Sequence, residues 1–296
     1  MSLVKLGRLT VKEFFARYPD EASCLNHIME VRFGMSHECR KCETYGTFHK
    51  LENRRAFSCA HCGDHVYPTA GTVFQDTRTP LQVWFYAIYL FVTTRHGVSG
   101  KELERTLGVT YKTAWRMGHQ IRKLMGNADN FETLQGHIEI DETLVGGRMT
   151  GKGTARKMEN KTIVMGLKQR GGPMITETIP DASTGSLRPH IERIVEKGSA
   201  ISTDEWTGYH LLKKAGYDHK AVNHRAKEWR KYNYRRDEYH HTNHVESFWK
   251  LFKDSVRSTH IHISKKHMQR YLDEFTFRSN HRQMSNAMFD LLVAAA

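Results

Sequence analysis

The segment His137-Ile138-Glu139-Ile140-Asp141 carries the prediction of the fold, because it alternates polar and apolar side chains and ends in an aspartate. Alternation with a period of about two residues is typical of a β-strand with one buried face. A second apolar run, Ala200-Ile201-Ser202-Thr203-Asp204, also ends in an aspartate. Neighbouring parallel strands end at a common edge of their sheet, so we expect Asp141 and Asp204 to lie close together.

The elements around these two runs predict a mixed α/β domain. A turn that contains Gly171, Gly172 and Pro173 separates two further apolar segments, which is typical of a hairpin. The other predicted elements are strands over 162–167, 174–179 and 219–223, and helices over 191–197 and 209–215. The order strand, hairpin, helix, strand, helix, strand and terminal helix predicts a ribonuclease H-like α/β domain.

A third acidic residue, Glu246, lies near the start of the amphipathic segment Val245-Glu246-Ser247-Phe248-Trp249-Lys250-Leu251-Phe252-Lys253. At about 100° per residue its apolar side chains fall on one arc of a helix, as expected for a helix packed on a sheet. Glu246 lies at the border of that arc, from which its carboxylate can reach over the sheet edge. Asn243 is a rival for this third position. Glu142 and Glu205, which directly follow the two aspartates, are rivals for theirs.

Three converging carboxylates would offer the oxygen ligands that Mg²⁺ prefers, and Mn²⁺ accepts the same ligands. Two such ions about 4 Å apart could activate a hydroxyl nucleophile and stabilise the leaving oxygen. The chain has 45 Lys plus Arg against 32 Asp plus Glu, a formal charge of +13, which predicts a polyanionic partner. Basic residues concentrate in segments 225–236 and 265–282. Together these features predict metal-dependent phosphoryl transfer on DNA.

Four of the five cysteines lie in two short pairs, Cys39-Arg40-Lys41-Cys42 and Cys59-Ala60-His61-Cys62, with 16 residues between the pairs. This spacing predicts a zinc ribbon, in which Cys39, Cys42, Cys59 and Cys62 bind one structural Zn²⁺. The zinc would contribute folding free energy to a module too small for its own core. Four thiolates leave no open position for catalysis, and such pairs indicate a reducing compartment rather than disulfides.

The pattern after residue 100 predicts a helix, a tight turn and a second helix, with Gly108 at the end of the first. The second helix, predicted over 111–125, carries basic side chains that include Lys112, Arg116 and Arg122. That composition is typical of a recognition helix in the major groove of DNA. An ordinary helical hairpin is the alternative.

The chain of 296 residues is long enough for two or three domains. We predict an N-terminal helical segment over 1–36, the zinc ribbon over 37–75, a helical, helix-turn-helix-like DNA-binding region over 76–130 and the catalytic domain over 131–296. Candidates for the core of the first segment are Phe14, Phe15, Tyr18, Cys24, Ile28 and Met29. The first ten residues lack the apolar core of a signal peptide, and the longest apolar stretch, 83–92, is half of a membrane span. We therefore expect a cytoplasmic protein with no membrane partner.

Several motifs of the chain resemble the DDE transposases of bacterial insertion sequences, and more narrowly the ISXO-type group that carries an N-terminal zinc ribbon. They are Ile138-Glu139-Ile140-Asp141-Glu142-Thr143 with Gly146-Gly147, Thr203-Asp204-Glu205 with Tyr209, His241-Thr242-Asn243-His244-Val245-Glu246-Ser247-Phe248-Trp249 with Lys253, Tyr271-Leu272-Asp273-Glu274-Phe275, and Phe277-Arg278-Ser279-Asn280. The resemblance extends from Cys39 to about Arg282. The chain departs from the pattern at Phe252-Lys253-Asp254, where a Lys-Arg pair is usual.

The resemblance implies that Asp141, Asp204 and Glu246 hold catalytic Mg²⁺ ions and that Lys253 contacts the terminal DNA, with Lys250 and Asn243 as further candidates for DNA contact. It implies a transposase that binds the terminal inverted repeats of its element, cleaves the ends and joins the 3′-hydroxyls to target DNA. A homodimer or larger assembly on DNA and a nucleoid-associated location in a bacterium are implied in the same way. The alternatives are a zinc-ribbon transcription regulator that has lost catalysis, and a ribonuclease H-like nuclease that hydrolyses DNA without joining strands.

Overall fold

The computed structural model of the protein describes residues 9–129, 131–146, 161–223, 226, 230–234, 237–284 and 287–296. It divides into two compact units, one formed by the chain up to Ala128 together with His281–Ala296 and the other by Asp129–Asn280. The C-terminal residues from His281 onward, which the sequence assigned to the catalytic domain, therefore belong to the first unit. Most of the basic loop after Gly146 and part of the basic segment 225–236 lie outside the described residues.

The N-terminal segment forms two helices, α1 (Val11–Arg17) and α2 (Glu21–Phe33), rather than a single helical segment. Pro19 disfavours helical backbone in Tyr18, so α1 ends there. Asp20 then caps α2, because its carboxylate accepts the backbone N–H of Ser23 at 2.7 Å. The predicted core residues are buried except Phe15, which is 45% exposed.

The zinc-ribbon segment is a four-stranded antiparallel sheet in chain order, β1 (Ser36–Glu38), β2 (Tyr45–Lys50), β3 (Phe57–Cys59) and β4 (His65–Val66). The two cysteine pairs lie at the turns between β1 and β2 and between β3 and β4.

Three further helices follow in the first unit: α3 (Leu81–Thr93), α4 (Gly100–Leu107) and α5 (Tyr111–Ala128). Gly108 ends α4 in the left-handed conformation (φ 65°), which glycine adopts without strain. The C-terminal helix Ala287–Ala294 contacts α2, α3 and α5. Aromatic side chains such as Phe14, Phe85 and Phe289 fill the shared core.

The second unit contains a mixed five-stranded sheet of β5 (His137–Gly146), β6 (Lys161–Gln169), β7 (Met174–Ile179), β8 (Ala200–Asp204) and β9 (Asp218–Val222). The strand order is β7-β6-β5-β8-β9. Strands β5, β6 and β7 pair antiparallel, whereas β8 runs parallel to both β5 and β9. The predicted mixed α/β class is confirmed.

Helices cover both faces of this sheet. On one face, α6 (Thr184–Ile194) shares a core with Ile138 and Ile140 of β5. On the other face, α7 (Asn243–Ser255) and α8 (Met268–Asn280) pack with Val145 of β5. Because side chains alternate along a strand, Glu139 and Asp141 share the face of Val145 and point toward α7.

Three elements of this unit differ from the sequence prediction. The helix expected over 191–197 begins earlier and is α6 (Thr184–Ile194), because the Ser183 side chain accepts the backbone N–H of Ser186 and caps its start. The helix expected over 209–215 is reduced to a 3₁₀ turn (Thr207–Tyr209) followed by irregular turns. Glycines at 208 and 216 flank this short segment and weaken its helical propensity. A short hairpin, β10 (Lys231–Asn233) and β11 (Glu238–His240), was not predicted, because three-residue strands carry too little alternation to recognise. No helix in the described part of the chain has both the length and the apolar character needed to cross a membrane.

Candidate active site and zinc centre

Strands β5 and β8 bring Asp141 and Asp204 to the same level of the sheet. The parallel register pairs Glu139 with Ser202, and the two aspartates each follow two residues later on their strands. Both side chains are half-buried. The prediction that the two runs form neighbouring parallel strands is therefore confirmed, but β5 continues beyond Asp141 to Gly146, where it pairs with β6, and only β8 ends at its aspartate.

Glu246 lies in the first turn of α7, and this helix packs closely on the sheet because of Gly166. Gly166 is the β6 partner of Asp141. A Cβ atom on it would lie 2.7 Å from Trp249 Cζ2 and 3.1 Å from Val245 Cγ2, so only a glycine leaves room for α7 at this distance. The Thr242 hydroxyl donates to Glu246 Oε1 at 2.7 Å and restrains the carboxylate.

The carboxylates at this end of the sheet repel one another. Burial raises the pKa of Asp141 to about 8, and the charges of Glu142, Asp204 and Glu246 add to the increase. Burial also raises the pKa of Glu142 to about 7, although the hydrogen bond that the Tyr209 hydroxyl donates to it acts in the opposite direction. A divalent cation would relieve this repulsion, so the donor set suits a hard metal ion.

Asp141, Asp204 and Glu246 do not form a tight cluster. Among the described residues, they are not one of the groups whose ligand atoms all lie within 4.8 Å of one another. Ligands shared by two ions about 4 Å apart need a wider spacing than ligands of a single ion. Of the two rival carboxylates, Glu142 accepts a hydrogen bond from Tyr209, and Glu205 is exposed, as Glu246 is.

Among the residues predicted to contact DNA in this unit, Lys253 lies within electrostatic range of Asp141. Burial lowers the pKa of its ammonium group, while the charge of Asp141 acts to raise it, so the two groups are close. Asn243 and Lys250 are exposed on α7.

Glu139 and Arg170 form a polar network that the sequence analysis did not identify as functional. The fully buried Glu139 carboxylate accepts Arg170 Nε at 2.9 Å, the backbone N–H of His244 at 2.9 Å and His244 Nδ1 at 2.7 Å. Arg170 in turn donates to the carbonyl oxygens of Tyr239 and His241. The network anchors the first turn of α7 to β5, two residues before Asp141. The sequence did contain one signal for this network, because Glu139 is a charged residue inside an apolar alternating run.

A second buried cluster ties the hairpin β10–β11 to the sheet. Ser202 Oγ lies 2.7 Å from His137 Nε2 and 2.8 Å from His240 Nδ1, and Glu238 lies 2.8 Å from His137 Nδ1. Burial lowers the pKa of His240 to about 4, and it lowers the pKa of His137 as well, so burial favours the neutral form of both imidazoles. These hydrogen bonds use the ring nitrogens within the protein and give the cluster a structural role.

The four ribbon cysteines converge. The Sγ atoms of Cys39 and Cys62 lie 3.6 Å apart, those of Cys42 and Cys59 lie 4.0 Å apart, and all four lie within 4.8 Å of one another. Four sulfurs placed tetrahedrally at about 2.3 Å from a zinc ion would be about 3.8 Å apart. Backbone N–H groups of Cys42 and Lys41 lower the pKa of the Cys39 thiol to about 7, which favours the thiolate, whereas burial and the neighbouring sulfurs raise the pKa of Cys62 to about 12. The predicted zinc site therefore fits the residues present.

In the first unit, Lys112 and Arg116 are exposed on α5, whereas Arg122 is only 3% exposed. Arg122 donates to the carbonyl oxygen of Val98 at 3.0 Å, and its guanidinium lies over the ring of Phe91. The prediction that Arg122 contacts DNA is therefore corrected, because its side chain holds α5 to the segment before α4.

Comparison with known protein families identifies two parts of the chain, the domain with the five-stranded sheet and the zinc ribbon. Residues 133–280, half of the chain, match the ISXO2-like transposase domain, and residues 19–65 match the transposase zinc-ribbon domain. An uncharacterised protein in the transposable element ISH50 of Halobacterium salinarum is 25% identical over 160 residues, which is 52% of this chain and 50% of that protein. The chain thus spans about half the length of that relative.

An uncharacterised transposase-like protein of Haemophilus influenzae is 25% identical over 111 residues, which is 38% of this chain and 84% of that protein. Among solved structures, a pre-cleavage Mos1 transpososome aligns with a TM-score of 0.25 and 10% identity, over 66% of this chain and 73% of that chain. That structural similarity is too weak to define the fold. On the matches to both of its domains, the chain belongs to the ISXO2-like transposase family.

Proposed function

We propose that the protein is a DDE-type DNA transposase that binds the terminal inverted repeats of its insertion sequence, cleaves the ends and joins the 3′-hydroxyls to target DNA. One observation carries the proposal: Asp141 and Asp204 lie level on neighbouring strands, and burial together with the charges of Glu142, Asp204 and Glu246 raises the pKa of Asp141 to about 8. Groups with such perturbed pKa values mark functional sites. The strand order, with three antiparallel strands followed by two parallel ones, supports a ribonuclease H-like domain.

Asp141, Asp204 and Glu246 are the residues that we assign as ligands of a pair of Mg²⁺ or Mn²⁺ ions. When bound, such ions would lower the pKa of the nucleophile and stabilise the leaving oxygen of the phosphodiester. Asp204 is oriented by the backbone N–H of Trp206, which donates to its Oδ1 at 3.0 Å. Glu246 is oriented by Thr242. These contacts hold the carboxylates in place before the DNA binds.

Lys253 is the residue that we assign to the DNA end, because its half-buried ammonium group lies near Asp141 and can bind a phosphate beside the reacting one. Lys250 and Asn243, exposed on the same helix, would contact the flanking backbone. Water would attack the scissile phosphate in the first step, and the freed DNA 3′-hydroxyl would attack the target phosphate in the second.

Recognition of the inverted repeats is assigned to the first unit. Helices α4 and α5 are joined by a tight turn at Gly108, and Lys112 and Arg116 are exposed on α5. This arrangement supports a helix-turn-helix-like contact with the major groove. Because an element has two ends, we propose a dimer or larger assembly on DNA, acting at the bacterial nucleoid.

The test is incubation of the purified full-length protein with a labelled element end and Mg²⁺, with the metal omitted in a control. Asp141→Ala and Asp204→Ala should each abolish cleavage and leave DNA binding largely intact. Glu205→Gln is the matched control, since it changes an exposed carboxylate next to Asp204 and should retain cleavage. Unchanged cleavage by either aspartate variant would refute the proposal.

A pre-cut end separates the transposase from the nuclease that the sequence left open. The transposase should join the 3′-hydroxyl of the pre-cut end to a target plasmid. Hydrolysis without joined products would favour the nuclease, and DNA binding without either reaction would favour a regulator.

A further inference from the structure

A cleft of about 640 Å³ borders the candidate active site in the 129–280 unit. Its walls come from the end of β5, the start of β6, α7 and the residues after it, with Glu142 on one wall. Pockets that hold small organic molecules have volumes of about 300–1,000 Å³. The cleft therefore has room for a group larger than a metal ion and its water ligands.

Trp206 lies on the wall of this cleft, and its indole is fixed although 49% of its surface is exposed. Its backbone N–H donates to Asp204 Oδ1, and its Nε1 donates to the Ala182 carbonyl oxygen at 2.6 Å. The ring packs on Gly208, where a Cβ atom would lie 2.8 Å from Trp206 Cδ1. Because the Ala182 carbonyl and Gly208 already hold the ring, a flat ligand that covers it would cost little side-chain entropy.

The rest of the cleft combines cations with apolar side chains. Lys161, Lys253 and Arg257 line it, against the single acidic residue Glu142, and Ile163 and Val256 provide apolar surface. Arg257 is largely exposed, with 77% of its side chain accessible. A flat aromatic wall beside several cations suits a ligand that is both a planar ring and an anion, which describes a nucleotide.

We propose that an unpaired DNA base stacks on Trp206 in this cleft while its phosphates bind Lys161, Lys253 and Arg257. The inference rests on the proposed function, because it takes DNA as the substrate, and it adds that the nucleotide beside the scissile phosphate leaves the helix. Every base presents a flat face, so the site would act at any sequence. Stacking on an aromatic side chain is worth about 5- to 150-fold in affinity.

The experiment compares a forked duplex that ends in an unpaired thymidine tail with a blunt duplex of the same length, using the full-length protein and Ca²⁺ in place of Mg²⁺. The ratio of the two Kd values isolates the unpaired nucleotides, because contacts of the first unit with duplex DNA contribute to both. The unmodified protein should prefer the fork by at least about fivefold. Trp206→Ala should abolish this preference, and Trp206→Phe should retain most of it.

Tyr234→Ala is the matched control, since Tyr234 is exposed to 88% but does not line the cleft. It should leave the preference for the fork unchanged. A 5-iodouracil placed in the unpaired tail should crosslink to Trp206 on irradiation, as located by mass spectrometry. Equal preference in the unmodified protein and Trp206→Ala, or crosslinks only to residues outside the cleft, would overturn the inference. Failure of the proposed function would look different, because forked DNA would still bind through Trp206 while element ends stayed uncleaved.

Discussion

Replacing Glu139 by alanine should destabilise the 129–280 unit more than any exposed carboxylate variant of the same sheet. The change removes a fully buried acceptor and leaves Arg170, 19% exposed, without its carboxylate. It also leaves the backbone N–H of His244 without an acceptor in the first turn of α7. Removing one partner of a buried ion pair costs about 3–5 kcal/mol. In a unit of this size that corresponds to a decrease in Tm of roughly 6–20 °C.

Glu177→Ala is the matched control. Glu177 lies on β7 of the same sheet and also binds one arginine and one histidine, Arg193 and His190, but its side chain is 23% exposed and that of Arg193 is 59% exposed. Exposed ion pairs contribute about 0–1 kcal/mol, so this variant should unfold within a few degrees of the unmodified protein. Thermal and urea denaturation of the full-length protein, followed by tryptophan fluorescence, would measure both free energies of unfolding.

The pH dependence of the difference in stability between the unmodified protein and Glu139→Ala provides a second test of this network. Burial acts to raise the pKa of Glu139, but the hydrogen bonds from His244 and Arg170 outweigh it, so the pKa is lowered from its ordinary value of 4.5. A carboxyl with a lowered pKa stabilises the fold above its unfolded pKa, and this contribution is lost as the pH falls through the folded pKa. The gap between the unmodified protein and Glu139→Ala should therefore be full at pH 7 and shrink below about pH 4.5. A Glu139→Ala variant no less stable than Glu177→Ala at pH 7 would refute the assignment of this network.

Three further outcomes are expected. The pKa of Asp141 in the folded state is raised from 3.8 to about 8, so the folded state binds more protons than the unfolded state between these pH values and loses stability as the pH rises. Asp141→Asn should therefore raise the Tm at pH 8 without added Mg²⁺. An unchanged or lower Tm would contradict the raised pKa. Mg²⁺ binding should release protons at pH 7, and the affinity for Mg²⁺ should increase up to about pH 8. Calorimetry in buffers of different ionisation enthalpy would detect the released protons. Binding that is independent of buffer and pH would count against Asp141 as a ligand. Cys59→Ser should lower the zinc content and unfold the ribbon, whereas Cys24→Ser, which changes a buried cysteine outside the cluster, should retain one zinc per chain by metal analysis.

The sequence was sufficient for features that depend on local spacing. The two cysteine pairs predicted the convergence of Cys39, Cys42, Cys59 and Cys62, because the metal-binding geometry of short knuckles is set by neighbours along the chain. Alternation in one apolar run predicted β5, the apolar run before Asp204 predicted β8, and the 3.6-residue period predicted α7. Such periods are properties of the backbone and can be recognised in a single sequence.

Tertiary structure decided what depends on residues distant in the chain. Arg122 resembled a DNA contact by its type and spacing, but packing against Val98 and Phe91 buries it. Glu139 is charged within an apolar run, and only the approach of Arg170 and His244 explains it. The exposure of Trp206 likewise depends on Ala182 and Gly208. Burial and long-range hydrogen bonds arise from the folding of separate segments onto one another, so residue type and local period determined which groups could act, and packing determined which of them are free to do so.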